Sequence, residues 1–166
     1  TIDYFRRKEM AKAKATDILS LIEAEHRQVE QLFTQIEKAK GNKIPSYFQE
    51  IYKALNLHAR TEELAFYPAL REYEETQEYI EEAEEEHEDV SVLLEEIKAM
   101  KPNDPEFLEK ISELKQAVQH HVEEEESEIF DAVRECMSEE QLTALGEEFK
   151  KAKAKLEPDV EAALAQ

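Results

Sequence analysis

Glycine and proline are scarce in this chain, two and five in 166 residues. With so few backbone breakers, and with glutamate, lysine, leucine and alanine abundant, the composition points to an all-α protein of one domain. One cysteine, Cys136, excludes an internal disulfide and suits a reducing, cytoplasmic setting. No apolar run approaches the roughly 18 residues of a membrane helix, and none opens the chain, so neither a span nor a signal peptide is expected. Positive charge is short as well: 21 lysines and arginines face 41 aspartates and glutamates, for a net charge of -20. Nucleic acid and anionic membrane would both be repelled, and neither is expected as a partner.

Polar residues stand where helical periodicity calls for apolar ones. His58-Ala-Arg-Thr-Glu62 follows Phe48, Ile51 and Leu55 and precedes Phe66 and Ala69 on one stripe. His121-Val-Glu-Glu-Glu125 follows Phe107, Ile111, Leu114 and Val118 and precedes Ile129 and Val133. A histidine and a glutamate four apart share a helix face, so one turn offers a nitrogen and a carboxylate to the same point. Glu25-His26-Arg-Gln-Val29 also matches Glu86-His87-Glu-Asp-Val90, 61 residues on, while the two His-xxx-Glu pairs lie 63 apart. The chain therefore reads as two copies of one helix hairpin, with the difference absorbed in a loop.

Caps and breakers set the order of elements. Residues 1–15 are locally basic and read as a partly ordered N-terminal extension. Thr16 is the expected cap of a first helix with Ile18, Ile22, His26, Val29, Phe33 and Ile36 on one face, ended by Gly41. Pro45 and Ser46 should open a second helix running to about Tyr73, with Pro68 kinking its last turns. Thr76 is the expected cap of a third, carrying Ile80, Ala83, His87, Val90, Leu94 and Ile97. Asp104 and Pro105 should start a fourth that reaches Cys136. Ser138 caps a last segment, expected to stop near Pro158 and to lie outside the bundle. Residues 16–137 thus form an up-down-up-down four-helix bundle, flanked by the extension at 1–15 and by an additional C-terminal helix and tail at 138–166.

At about 1.5 Å per residue, His26, Glu62, His87 and Glu125 all fall about 15–16 Å from the same end of that bundle, with His58 and His121 one turn further. Six polar groups from four helices meet in one layer. Left unpaired, two buried carboxylates would each cost several kcal/mol, and four imidazoles also need partners. The sum rivals the ~5–15 kcal/mol stability of a whole domain. A metal removes the penalty by turning the same groups into ligands. Imidazole and carboxylate without thiolate suit iron first, then manganese or zinc. Six protein ligands are too many for one ordinary ion and suit two, with room left for an oxo or hydroxo bridge and a small exogenous molecule.

The order His26, His58-xxx-Glu62, His87, His121-xxx-Glu125 resembles the hemerythrin-like (HHE cation-binding) domain. The runs HARTEELAFYPAL and HHVEEEESEIF resemble its HxxxEE motif, and MSEEQLTALGEEF the short helix that often follows. The resemblance spans about residues 16–150. It implies a four-helix bundle holding a carboxylate-bridged pair of iron ions, with His26, His58, Glu62, His87, His121 and Glu125 as ligands. One feature departs from the oxygen-carrying hemerythrins, which have a fifth histidine one turn from the other on the third helix; here Ala83 and Ser91 flank His87. The four-histidine pattern is similar to the branch that includes iron-cluster repair proteins and mycobacterial hemerythrin-like proteins, associated with nitric oxide or peroxide chemistry.

The implied function is a non-haem di-iron protein that binds or reacts with a small diatomic or peroxide ligand, served by an unidentified electron donor or protein partner. A sensor of oxygen, iron or redox state without turnover is the alternative. A ferritin-like di-iron protein would use Glu23-xx-His26 and Glu84-xx-His87 and leave His58 and His121 idle. A metal-free helical interaction module is the blandest reading. Around the six residues, Glu63, Glu126 and the acidic runs 84–86 and 123–126 read as solvated faces, and His120 as surface or as a support to the site. Phe66, Tyr67, Ile129 and Phe130 read as core packing, with a pocket wall as the other possibility, and Cys136 as inert.

Overall fold

The computed structural model describes residues 16–166, and the expected extension at 1–15 lies outside the described residues. Helix α1 (Ile18–Lys38) starts from Asp17, whose carboxylate accepts the Ser20 N–H at 2.8 Å, so Asp17 and not Thr16 is the cap. A carboxylate at that position also meets the positive end of the helix dipole. The helix stops at Lys38, and Gly41, at φ 58°, makes the turn that follows. Helix α2 (Lys43–Ala65) takes Pro45 in its first turn, where a missing N–H costs no helical bond. It ends at Ala65 rather than near Tyr73: Pro68 cannot bond the Leu64 carbonyl, and the chain breaks at Phe66 instead of kinking.

Two single turns, α3 (Tyr67–Leu70) and α4 (Glu74–Gln77), lead to α5 (Ile80–Ala99). Thr76 does not cap α5. It is buried, and its hydroxyl donates to the Leu70 carbonyl at 2.5 Å, tying the two turns together. Asp104 accepts the Glu106 N–H at 2.9 Å just ahead of α6 (Phe107–Glu124). The fourth helix is not continuous to Cys136. A π turn (Glu125–Ile129) separates α6 from α7 (Phe130–Cys136). Such wide turns shift the helical register and recur at functional sites, and this one begins on Glu125.

Helices α1, α2, α5 and α6 pack as a ring, each against the next, in up-down-up-down order. The core comes in two apolar blocks, one around Phe33, Ile51, Ile97 and Leu114, the other around Ile22, Phe66, Leu70 and Phe130. On each of the four helices the buried residues pass from one block to the other across a histidine, a glutamate or both. The polar layer therefore cuts the core in two.

Helix α8 (Glu139–Ala165) departs from expectation. Ser138 and Gln141 cap each other, the Ser138 hydroxyl accepting the Gln141 N–H at 3.2 Å and the Gln141 side chain accepting the Ser138 N–H at 2.8 Å. Instead of stopping near Pro158 and standing outside the bundle, α8 continues to Ala165 and lies along α1 and α2, burying Leu142, Phe149, Ala152 and Val160. On both sides of Pro158 it is held by Lys53, paired with Glu157 at 3.3 Å and Glu161 at 2.7 Å, and further on by Lys98, which donates to the Ala163 carbonyl at 2.9 Å. Gly146 lets it approach the start of α1, because a Cβ there would collide with the Thr16 carbonyl oxygen. Among the described residues no helix is long and apolar enough to cross a membrane.

Candidate metal centre

All six residues singled out in the sequence are buried and converge in the polar layer, with exposures of 0% for Glu62 and Glu125 and 3–8% for the four histidines. They fall into two groups. The rings of His26 and His58 lie 4.9 Å apart, and those of His87 and His121 lie 4.8 Å apart. The glutamates stand between the groups. Glu62 approaches His58 Nε2 at 2.7 Å and His87 Nε2 at 3.5 Å, while Glu125 approaches His26 Nε2 and His121 Nε2 at 3.2 Å each. Each carboxylate thus faces one histidine from each hairpin.

Every imidazole is oriented from behind by a second carboxylate. The Nδ1 atoms of His26, His58, His87 and His121 lie 2.9, 3.0, 3.1 and 3.1 Å from Glu126, Glu25, Glu63 and Glu86 respectively. An Nδ1–H donated outward leaves the Nε2 lone pair facing inward, which is the arrangement metal-binding histidines use. Glu126 and Glu86 are therefore drawn out of solvent, against the solvated faces that the sequence suggested, while Glu63 reaches His87 and still stays exposed, as expected. The signal that could have found them is the doubling of acidic residues in both copies: Glu62-Glu63 against Glu125-Glu126, and Glu25-His26 against Glu86-His87. His120 sits on the surface, 66% exposed.

Tyr67 is fully buried and does more than pack. Its hydroxyl lies 3.1 Å from His87 Nε2 and donates to a Glu125 oxygen at 3.1 Å. On the opposite side of the layer the four imidazoles open onto a cavity of about 30 Å³ walled by Val29, Leu55, Val90, Val118 and Val122. That is room for a molecule about the size of a water, with apolar walls that offer it no hydrogen bond.

Without metal, the layer is electrostatically tense. Burial would depress the His121 imidazole, but the Glu125 charge and the bonds to Glu125 and Glu86 outweigh it and push it up to about 10. His58 is raised well above the ordinary range, against its burial, by Glu62 and Glu25. His26 and His87 are raised too, their carboxylate partners again outweighing burial. Glu125 is held well below the carboxylate range because His121 and His26 outweigh its burial. The Tyr67 hydroxyl is pushed well up by burial and by the Glu62 and Glu125 charges.

The donors fit a metal. His26 Nε2, His58 Nε2, His121 Nε2, both Glu62 oxygens and one Glu125 oxygen are sealed from solvent and make no hydrogen bond. Buried polar atoms left so are costly, and a cation turns each into a ligand. Glu62, His87, His121 and Glu125 place four donor atoms within 4.8 Å of one another, and His26, His58 and Glu125 place three. The molecule is a four-helix bundle built around a histidine–carboxylate cradle able to hold metal ions.

Residues 17–133 match the family model of the hemerythrin HHE cation-binding domain, and the chain belongs to that family. A DNA nickase of Nostoc sp. is 39% identical over 145 residues, which make up 85% of this chain and 40% of that protein. An uncharacterized hemerythrin-like protein of Schizosaccharomyces pombe is 28% identical over 143 residues, 84% of this chain and 70% of its own. A crystal structure of a hemerythrin HHE cation-binding domain protein from Mycobacterium kansasii superposes with a TM-score of 0.80, covering 90% of this chain and 93% of that one at 22% identity. That likeness shows the shared fold.

Proposed function

We propose that this chain is a non-haem di-iron protein that binds or reacts with a small oxidant such as O2, NO or peroxide. The observation that carries the reading is the set of buried Nε2 and carboxylate atoms that make no hydrogen bond and converge beside an apolar cavity of about 30 Å³. His26 and His58 would hold one ion and His87 and His121 the other, with Glu62 and Glu125 shared between them. Iron bound there supplies electrons and an open coordination position; manganese or zinc would fit the same donors. The protein's part is orientation and exclusion. Glu126, Glu25, Glu63 and Glu86 fix the four rings, and the valine wall keeps out water and large or charged molecules. Tyr67 holds a proton beside His87 and Glu125.

A sensor without turnover is the second reading. It is favoured by one contact, Lys153 of α8 at 3.4 Å from Glu25, which links the His58 ring to the outer helix. A reducing cytoplasm suits the free thiol of Cys136. A DNA substrate, which the name of the Nostoc relative brings to mind, is opposed by the net charge of -20. The test is metal analysis of the iron-loaded protein, then anaerobic reduction and separate exposure to O2, NO and H2O2 while the near-ultraviolet spectrum is recorded. Two irons per chain and a spectral response to at least one oxidant are expected. A reversible response indicates a sensor or carrier and consumption an enzyme, while one iron per chain, or no response, would overturn the proposal.

A further inference from the structure

The four carboxylates behind the imidazoles are not equally provided for. Glu25, behind His58, has the Lys153 ammonium at 3.4 Å, and Glu126, behind His26, is paired with Arg27. Glu86, behind His121, is the counterpart of Glu25 in the internal repeat. Among the described residues it pairs with no lysine or arginine, only with His120 and His121. One Glu86 oxygen is committed to His121 Nδ1 at 3.1 Å. The other is sealed from solvent, accepts no hydrogen bond, and faces His120 Nε2 at 3.4 Å. His120 Nε2 in turn lies 3.1 Å from Glu124 Oε1. Donor atoms of Glu86, His120 and Glu124 all lie within 4.8 Å of one another.

The internal repeat does not impose this cluster. In the first hairpin the positions matching His120 and Glu124 are Leu57 and Thr61, which bring neither imidazole nor carboxylate. His120 and Glu124 are four apart on α6, so their donors share a face, and Glu86 supplies a third from α5. One nitrogen and two carboxylates, open to water on the outer side, suit a divalent first-row ion that completes its shell with solvent.

We propose that Glu86, His120 and Glu124 form a third cation site, at the surface, for a divalent first-row metal ion such as Zn2+ or Fe2+. The site is distinct from the buried cradle but joined to it through Glu86, which would face the outer ion with one oxygen and His121 with the other. An ion there draws charge from the Glu86 carboxylate and loosens its hold on the His121 ring. Occupancy is thereby felt at the His87/His121 position and not at the His26/His58 position.

The site is tested on the full chain with its cradle already loaded with iron, by equilibrium dialysis against Zn2+ and counting of both metals. A further saturable equivalent of zinc, bound with the iron retained, is expected. His120→Ala and Glu124→Gln each weaken it by at least the roughly tenfold that loss of even a supporting group costs a metal site, and leave the iron content unchanged. Glu85→Gln, which removes a charge from the exposed face of the same helix, leaves it intact. Absence of the extra equivalent, or equal weakening in all three variants as for a diffuse counter-ion cloud, would overturn the site. So would zinc binding that survives His120→Ala, because it would then be entering elsewhere.

Discussion

In the first hairpin, α1 and α2, the His26 and His58 rings stand 4.9 Å apart; in the second, α5 and α6, His87 and His121 stand 4.8 Å apart. Each pair shares Glu62 and Glu125 with the other, and each ring is braced by a carboxylate at an equivalent place in the repeat. Beyond that layer the halves part. The chain breaks at Phe66 after the first His-xxx-Glu and passes through a π turn after the second. Tyr67 in the first copy is Phe130 in the second. Lys153 of α8 neutralises Glu25, whereas its counterpart Glu86 faces His120 and Glu124. The donors have been kept in duplicate while their surroundings have diverged, so two bound ions would be unequal.

Removing one shared carboxylate should have the largest effect, because it strikes both halves at once. Glu125 reaches His26, His121 and Tyr67, so Glu125→Ala should empty both positions of iron. Breaking a buried charged pair should also cost about 3–5 kcal/mol of stability in the metal-free protein. His58→Ala touches the first position and should leave the ion held by His87 and His121 largely in place. Metal content per chain and urea unfolding measure both. Equal iron loss from the two variants would show that the positions load as one unit and that the comparison of halves has no thermodynamic meaning.

The metal-free protein offers the next test, through pH. His121 is raised from the ordinary 6.5 to about 10, and the other three rings are also raised. A folded-state value above the unfolded one contributes stability that is complete below pH 6.5 and lost as pH climbs toward the folded value, about 10 for His121. Glu125 works in the opposite direction: held below the ordinary 4.5, it contributes above that value and loses its contribution as pH falls. Metal-free protein should therefore be more stable near pH 6 than near pH 9. The margin should be on the order of a few kcal/mol, since a ring held protonated through one further pH unit contributes ~1.4 kcal/mol. Denaturant midpoints at the two pH values check the sign. Metal needs neutral rings, so metal affinity should run the other way and rise with pH. If His58→Ala and His121→Ala each remove the same share of the pH dependence, the halves are electrostatically alike despite Lys153.

The convergence of His26, His58, Glu62, His87, His121 and Glu125 is legible in the sequence because a polar residue on an apolar stripe is visible in one dimension. The hairpin repeat is legible for the same reason. The outer carboxylates are not, since a glutamate facing an imidazole on the next helix has the same local sequence as one facing water. Only the paired occurrence in both copies separates Glu63, Glu86 and Glu126, which reach an imidazole, from the many glutamates that reach only water, and Glu63 remains exposed while doing so. The course of α8 is hidden differently. Pro158 argues for a stop, and the contacts that override it, at Val160, Lys98 and Lys53, come from distant parts of the chain. The π turn has no signature at all, because residues 125–129 carry an unbroken helical pattern.

The finest test exchanges the residue in which the two copies differ closest to the centre. Tyr67→Phe removes the hydroxyl between His87 and Glu125 and should cost about 1 kcal/mol of stability, the usual worth of one such bond, with iron content retained. What should change is the near-ultraviolet spectrum of the iron-loaded protein and its response to oxidant, since the His87/His121 position becomes as bare as the other. Phe130→Tyr should do the converse, bringing a hydroxyl toward the first position, where both Glu62 oxygens lack a hydrogen bond. If this residue alone sets the inequality, the double exchange should recover a spectrum close to that of the original protein, with the roles of the two positions reversed. If it shows only the combined damage of the single changes, the inequality has a deeper source. The features left to supply it are the π turn that begins on Glu125 and has no counterpart after Glu62, and the different partners of Glu25 and Glu86.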